Sequence, residues 1–188
     1  MLRLSNPEQN LLLGIAREAV HRHLSSQSLE YPEMPEGGMT KPRGVFVSIH
    51  TDRALRGCIG RIHAETPLYE TTEECAISAA VADPRFPPLQ IAELPKVSFE
   101  ISAVSPPEQI GVIEGIEVGR HGLMVEQNSL RALLLPQVAS LYGWGRIEFL
   151  RQTCLKAGLG PDDWKQDATV FSFEALVFRE TPVPSPAE

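Results

Sequence analysis

The 188-residue sequence is poor in cysteine and in aromatics: it holds three Cys, and Phe, Trp and Tyr together make up 6%. Cys58, Cys75 and Cys154 are odd in number and far apart, with no CxxC pair. That pattern excludes a disulfide framework and a zinc knuckle, and it fits a reducing compartment. No run of basic residues occurs, and 17 Lys and Arg against 24 Asp and Glu give a net charge of -7. Such a chain repels phosphate backbones, so non-specific nucleic-acid binding is not expected, although a pocket for one nucleotide is compatible. No segment reaches the roughly 18 apolar residues of a membrane span. The stretch from Leu11 to Val20 is interrupted by Gly14, Arg17 and Glu18 and lacks a small-residue cleavage site, unlike a signal peptide. These absences predict a cytoplasmic protein with no membrane segment. No Walker loop, GxGxxG, GxSxG or HExxH is present, which removes the usual support for ATPase, Rossmann, hydrolase and zincin readings. His21 and His23, two apart on a helix, face different directions. No metal or cofactor is expected.

What is there is the composition of one globular domain, 43% hydrophobic and 22% charged. Ser5 and Glu8 make a capping box ahead of Leu11, Leu12, Ile15, Ala19 and Leu24 on one helical face. A Pro- and Gly-rich loop spans Ser25 to Arg43. Two β-patterned runs, Gly44 to His50 and Ala54 to Ile62, are joined closely enough for a hairpin. Thr66 as N-cap and Pro67 in the first turn open a helix whose stripe is Leu68, Thr72, Cys75, Ala76 and Ala79. Asp83 to Leu89 is a stiff loop with three prolines. Val97, Phe99, Ile101 and Ala103 alternate with polar residues as a half-buried strand. Ile116 to Val118 and Leu123 to Glu126 flank Gly119 and Gly122 as a second hairpin, extended by Leu130 to Leu135. Pro136 to Ala157 is helical with a break at Gly143 and Gly145, and Ile147, Leu150 and Cys154 are expected inward. Thr169 to Phe178 is a strand, and Thr181 to Glu188 a mobile Pro-rich tail. Hairpins separated by helices, without βαβ alternation, predict an α+β protein: a mainly antiparallel sheet flanked by helices. It is expected to form a single domain over residues 1–180, with possible lobes at about 1–110 plus 168–180 and at 111–167.

Cys58 is the thiol of most interest. Gly57 and Gly60 bracket it, and Arg56 lies two residues away on the same strand face, where a cation favours the thiolate. Its alternative is a small buried hydrophobe. Glycines in a strand need a reason, and close approach of a backbone or ligand is favoured over a bulge. On the DPRFPP loop, Asp83 and Arg85 form an ion pair or present Arg85 to an anion, and Phe86 is read as a core plug. His121 on its glycine turn is a candidate general base or a solvated turn residue. Glu100 is either exposed or paired with Arg56 across the sheet. Cys75 and Cys154 fall on apolar stripes and read as packing residues.

LRGCIG at 55–60, ADPRFPPL at 82–89, SPPE at 105–108, GRHGL at 119–123, LLLPQVA at 133–139 and KAGL at 156–159 occur in one order. Together they resemble the AMMECR domain family over about Gly44 to Phe178. The resemblance implies an α+β domain of two unequal lobes with a cleft. It also implies candidate site residues at the signature positions Arg56, Gly57, Cys58, Gly60, Asp83, Arg85 and Phe86. Prokaryotic relatives are grouped with a Memo-like protein and a radical SAM enzyme as AmmeMemoRadiSam, whose protein A this chain resembles, so those two proteins are the implied partners. One departure is LYGWG at 141–145, where the family carries an acidic residue on either side of the Tyr-Gly-Trp core. Two readings follow. In one, the chain is an enzyme or enzyme subunit with Cys58 as thiolate, Arg56 as its cationic neighbour and Arg85 as anchor for a small anionic or nucleotide-like substrate. In the other, it is a non-catalytic adaptor or ligand-binding module.

Overall fold

A computed structural model describes residues 3–26, 36–52 and 54–180. Residues 27–35 of the loop expected over 25–43, and all of the tail 181–188, lie outside the described residues. The helices are α1 (Asn6–Ser25), α2 (Leu68–Val81), α3 (Pro136–Tyr142) and α4 (Arg146–Lys156). The strands are β1 (Gly44–Thr51), β2 (Ala54–Arg61), β3 (Val97–Val104), β4 (Glu108–Gln109), β5 (His121–Gln127), β6 (Leu130–Leu134) and β7 (Thr169–Arg179). Every described pairing is antiparallel, so the fold is α+β, as the alternation of hairpins and helices predicts.

The chain divides into two compact units. One runs to Val104 and resumes at Leu176; the other is Ser105–Ala175. β7 contributes to both.

In the first unit the strand order is β2-β1-β3, followed by the last residues of β7. Val45, Val47 and Ile49 of β1 and Val97, Phe99, Ile101 and Ala103 of β3 point to one face and are buried there. Period-two alternation leaves Phe46, Ser48 and His50, and Ser98, Glu100 and Ser102, on the opposite face. α1 and α2 close the buried face with Leu12, Ala16, Val20, Leu68, Cys75, Ala76 and Ala79. α1 starts as its sequence predicts: the Glu8 N–H donates to Ser5 Oγ, and Glu8 Oε2 accepts from the Ser5 N–H at 2.7 Å. α2 departs from expectation. Its N-cap is Pro67, with no side-chain cap, and the Thr66 hydroxyl instead lies 2.9 Å from Thr71 Oγ1.

The end of β7 is held by Arg17. Its guanidinium donates to Glu180 Oε1 (2.7 Å) and Oε2 (2.6 Å) and to the carbonyls of Leu94 and Val97, and it lies over the Phe99 ring. Arg17→Met keeps the stem and removes all four bonds, leaving Glu180 without its cation. It is expected to lower stability by about 2 kcal/mol, read as a lower urea midpoint at unchanged m-value.

In the second unit β7 lies between β4 and β5, with β6 beyond β5. Its core comprises Leu123, Val125, Phe149, Leu150, Cys154 and neighbours. Two expectations are corrected here. Ile116–Val118 is not a strand. The segment turns, with the Glu117 carbonyl accepting from the Arg120 and His121 N–H groups, and the hairpin is β5–β6, made tight by Asn128 at φ 56°. Ile147 is 42% exposed, because the buried stripe of α4 runs through Phe149, Leu150, Thr153 and Cys154. The helix break is at Gly143, a left-handed C-cap with φ 64°.

Candidate functional site

LRGCIG lies on β2, an edge strand of the first unit. Cys58 is opposite Ser48 of β1, and Ser48 is in turn opposite Glu100 of β3. The outward backbone groups of Cys58 meet side chains where a further strand would have been. Its N–H donates to Asp83 Oδ2 (2.8 Å), and its carbonyl accepts from Arg85 Nη2 (3.2 Å). One ion pair thus satisfies an exposed sheet edge. With those groups turned outward, Ser48 and Cys58 form the pair type whose side chains approach closest. Ser48 Oγ donates to Cys58 Sγ at 3.2 Å.

Asp83 closes the DPRFPP loop on itself as well as on β2. Its Oδ1 accepts from the Arg85 N–H (3.1 Å) and Nε (2.9 Å), and its Oδ2 from Nη2 (2.6 Å), while its side chain is only 2% exposed. The Arg85 bonds first, then the backbone donors of Cys58 and Arg85, hold the Asp83 carboxyl far below the usual carboxylate range despite its desolvation. Arg85 is correspondingly held above its ordinary value, by Asp83 first and in lesser part by Cys58. The Phe86 N–H donates to the Asp83 carbonyl, and the Arg85 guanidinium lies 5.4 Å from the Phe86 ring centroid. Phe86 is half-buried and stands outside the buried core, so it serves as a platform under Arg85 rather than as a core plug.

The cation beside Cys58 is therefore Arg85. Arg56, expected in that place, sits where the β1–β2 register shifts between Ile49 and His50. Its guanidinium forks onto Glu93 (Nε–Oε1 3.0 Å, Nη2–Oε2 3.2 Å) and donates through Nη1 to the Pro87 carbonyl (2.8 Å). Arg56, ahead of the Gln90 N–H, lowers the Glu93 carboxyl. Glu100 has Arg179 as its ion-pair partner, at 3.5 Å, and not Arg56.

Both glycines of the motif answer to packing. A Cβ at Gly57 would overlap the Ala79 carbonyl of α2, and one at Gly60 would overlap the Phe46 ring. His121, the first residue of β5, belongs to the second unit, where its Nδ1 accepts from the Glu117 N–H at 3.1 Å and closes the turn. Cys75 and Cys154 are buried to 1% and 0% exposure. Burial pushes the Cys75 thiol up to about 11 and raises Cys154 too. Cys58, by contrast, is half-exposed. Ser48 and Glu93 take part in the site, and neither is singled out by the sequence patterns. Ser48 stands out only as a hydroxyl on the alternate face of an apolar strand, and its partner depends on a register that no local signal fixes.

The first unit thus defines an α+β protein with a thiol on a sheet edge, fixed by an ion pair from a Pro-rich loop. The comparisons with known proteins agree with the α+β fold. The AMMECR1 family model matches residues 13–178, and the chain belongs to this family. Protein MK0488 of Methanopyrus kandleri is 42% identical over 188 residues, covering 95% of this chain and 91% of its own. Protein MJ0810 of Methanocaldococcus jannaschii is 41% identical, covering 96% and 94%. The crystal structure of PH0010 from Pyrococcus horikoshii superposes with a TM-score of 0.88 at 39% identity, covering 94% of this chain and 93% of that one. Among the described residues no helix is long and apolar enough to cross a membrane.

Proposed function

We propose that the chain is an enzyme or enzyme subunit in which Cys58 is the nucleophile and Arg85 anchors an anionic group of a small, nucleotide-like substrate. The observation that carries this is the contrast among the three cysteines: two are buried among apolar side chains, while Cys58 is half-exposed between a hydroxyl donor and a fixed guanidinium. Arg85 keeps Nη1 without a protein partner among the described residues, and its side chain is 55% exposed. A substrate anion has that donor to bind. The sulfur lone pair forms the new bond to the electrophilic atom, and the leaving group departs with the electrons of the bond it loses. Arg56 acts through Glu93 and Pro87 as a positioning residue. Gly57 and Gly60 let α2 and Phe46 close on the strand.

The likeness to the AmmeMemoRadiSam grouping extends the proposal to a Memo-like protein and a radical SAM enzyme as partners in the cytoplasm. A second reading, a non-catalytic adaptor, draws on Leu55 and Ile91, which are 39% and 45% exposed within and beside the two motifs.

Alkylation with two reagents of different charge tests the anchor. Relative to neutral iodoacetamide, anionic iodoacetate is expected to label native Cys58 preferentially, and Arg85→Gln to lower the ratio of the two rates about tenfold. Equal ratios in wild type, in Arg85→Gln and in denatured protein would remove the anion anchor and favour the adaptor.

A further inference from the structure

We infer that Ser48 is the positioning residue of the thiol site, its hydroxyl holding the Cys58 sulfur in its reactive, charged form. This rests on the reading of Cys58 as nucleophile. The strand register places Ser48 directly opposite Cys58, and Oγ lies 3.2 Å from Sγ with the hydroxyl as donor. A serine hydroxyl is a rotor with one donor and two acceptor sites. It can donate to a thiolate and accept from a thiol without moving its oxygen.

One cation and one neutral donor reach the sulfur. From the loop, Arg85, held by Asp83 in a forked contact, donates to the Cys58 carbonyl and is the cation beside the sulfur. From β3, Glu100 faces Ser48, and its charge is taken up by Arg179 of β7. Arg56 at the β2 bulge is neutralised by Glu93. His50 follows two residues along β1 on the same face. The other nearby charges are paired, so the Arg85 cation and the directed hydrogen bond from Ser48 are what act on the sulfur. α1 and α2 pack against the opposite face of the sheet. Among the described residues Ser48 makes no other side-chain hydrogen bond, so its hydroxyl is not committed to holding the strand together.

The experiment follows iodoacetamide labelling of Cys58 across pH in wild type, Ser48→Ala and Ser48→Thr, with thermal unfolding confirming that each is folded. Ser48→Ala is expected to label about tenfold more slowly at neutral pH and at the wild-type rate at high pH, where every thiol is ionised. Ser48→Thr keeps the hydroxyl on a β-branched side chain suited to a strand and is expected to restore the neutral rate. Ser48→Ala that labels like wild type throughout overturns the inference and leaves Cys58 as nucleophile standing. Equal slowing at all pH values also overturns it, since that reports access rather than ionisation. A wild-type Cys58 that reacts only after denaturation overturns the nucleophile reading and the role of Ser48 with it.

Discussion

Asp83→Ala is expected to lower stability by about 3 kcal/mol. The side chain is 2% exposed and accepts from the Cys58 N–H, the Arg85 N–H and two guanidinium nitrogens. Removing it leaves a strand-edge N–H without a partner and frees a guanidinium that is half in water, which is why the figure stays at the lower end for a broken buried pair. Asp83→Asn keeps the shape and one acceptor for Cys58 but presents an amide NH2 to Arg85, and it is expected to recover only part of the loss. The pH dependence has a definite sign. A carboxyl whose folded value lies below its unfolded value of about 3.9 binds its proton more weakly in the native state. Its contribution is present in full above about pH 5 and is lost as pH falls through about 4 and below. Urea midpoints measured against pH are therefore expected to fall less steeply in acid for Asp83→Ala than for wild type.

Gly57→Ala is expected to cost about 3 kcal/mol from a single methyl group. The atom in its way is the Ala79 carbonyl oxygen, part of α2 and unable to rotate aside, so the helix must lift off β2. Gly14→Ala is the control. That glycine is exposed in α1, a Cβ added there would meet nothing within 4 Å, and the change is expected to raise stability by about 0.5–1 kcal/mol through helix propensity. Thermal unfolding of the two variants side by side separates a glycine required by packing from one that is not.

The elements legible in the sequence are those whose signals are local. The capping box at Ser5 and Glu8, the alternation over Val97–Ala103, the helix stop at Gly143 and the stiff DPRFPP loop all depend on residues a few positions apart. Local signals mislead where distant contacts decide. His121 and Gly122 look like the tip of a hairpin, yet they open β5, because the turn is closed by the Glu117 carbonyl and the hairpin tip is supplied by Asn128. Ile147 fits the helical period as well as Phe149 does, and only packing against β5 and β6 shows which face turns inward. At the site, the residues of LRGCIG and DPRFPPL are legible as a set, but their pairing is not. Not Arg56 but Arg85 is the cation beside Cys58. A register shift places one at a bulge, and an Asp two residues before the other draws it onto the Cys58 backbone. Ser48 is invisible for the same reason, since cross-strand partners follow from register.

The central claim is that the two motifs build one site presenting a reactive Cys58 thiol. Iodoacetamide labelling of the native protein at neutral pH, read cysteine by cysteine by peptide mass spectrometry, tests it most directly. The account predicts rapid labelling at Cys58 while Cys75 and Cys154, buried and with raised thiols, label only on denaturation. Cys58 that stays unlabelled until the protein unfolds would contradict it and would leave LRGCIG as a packing motif.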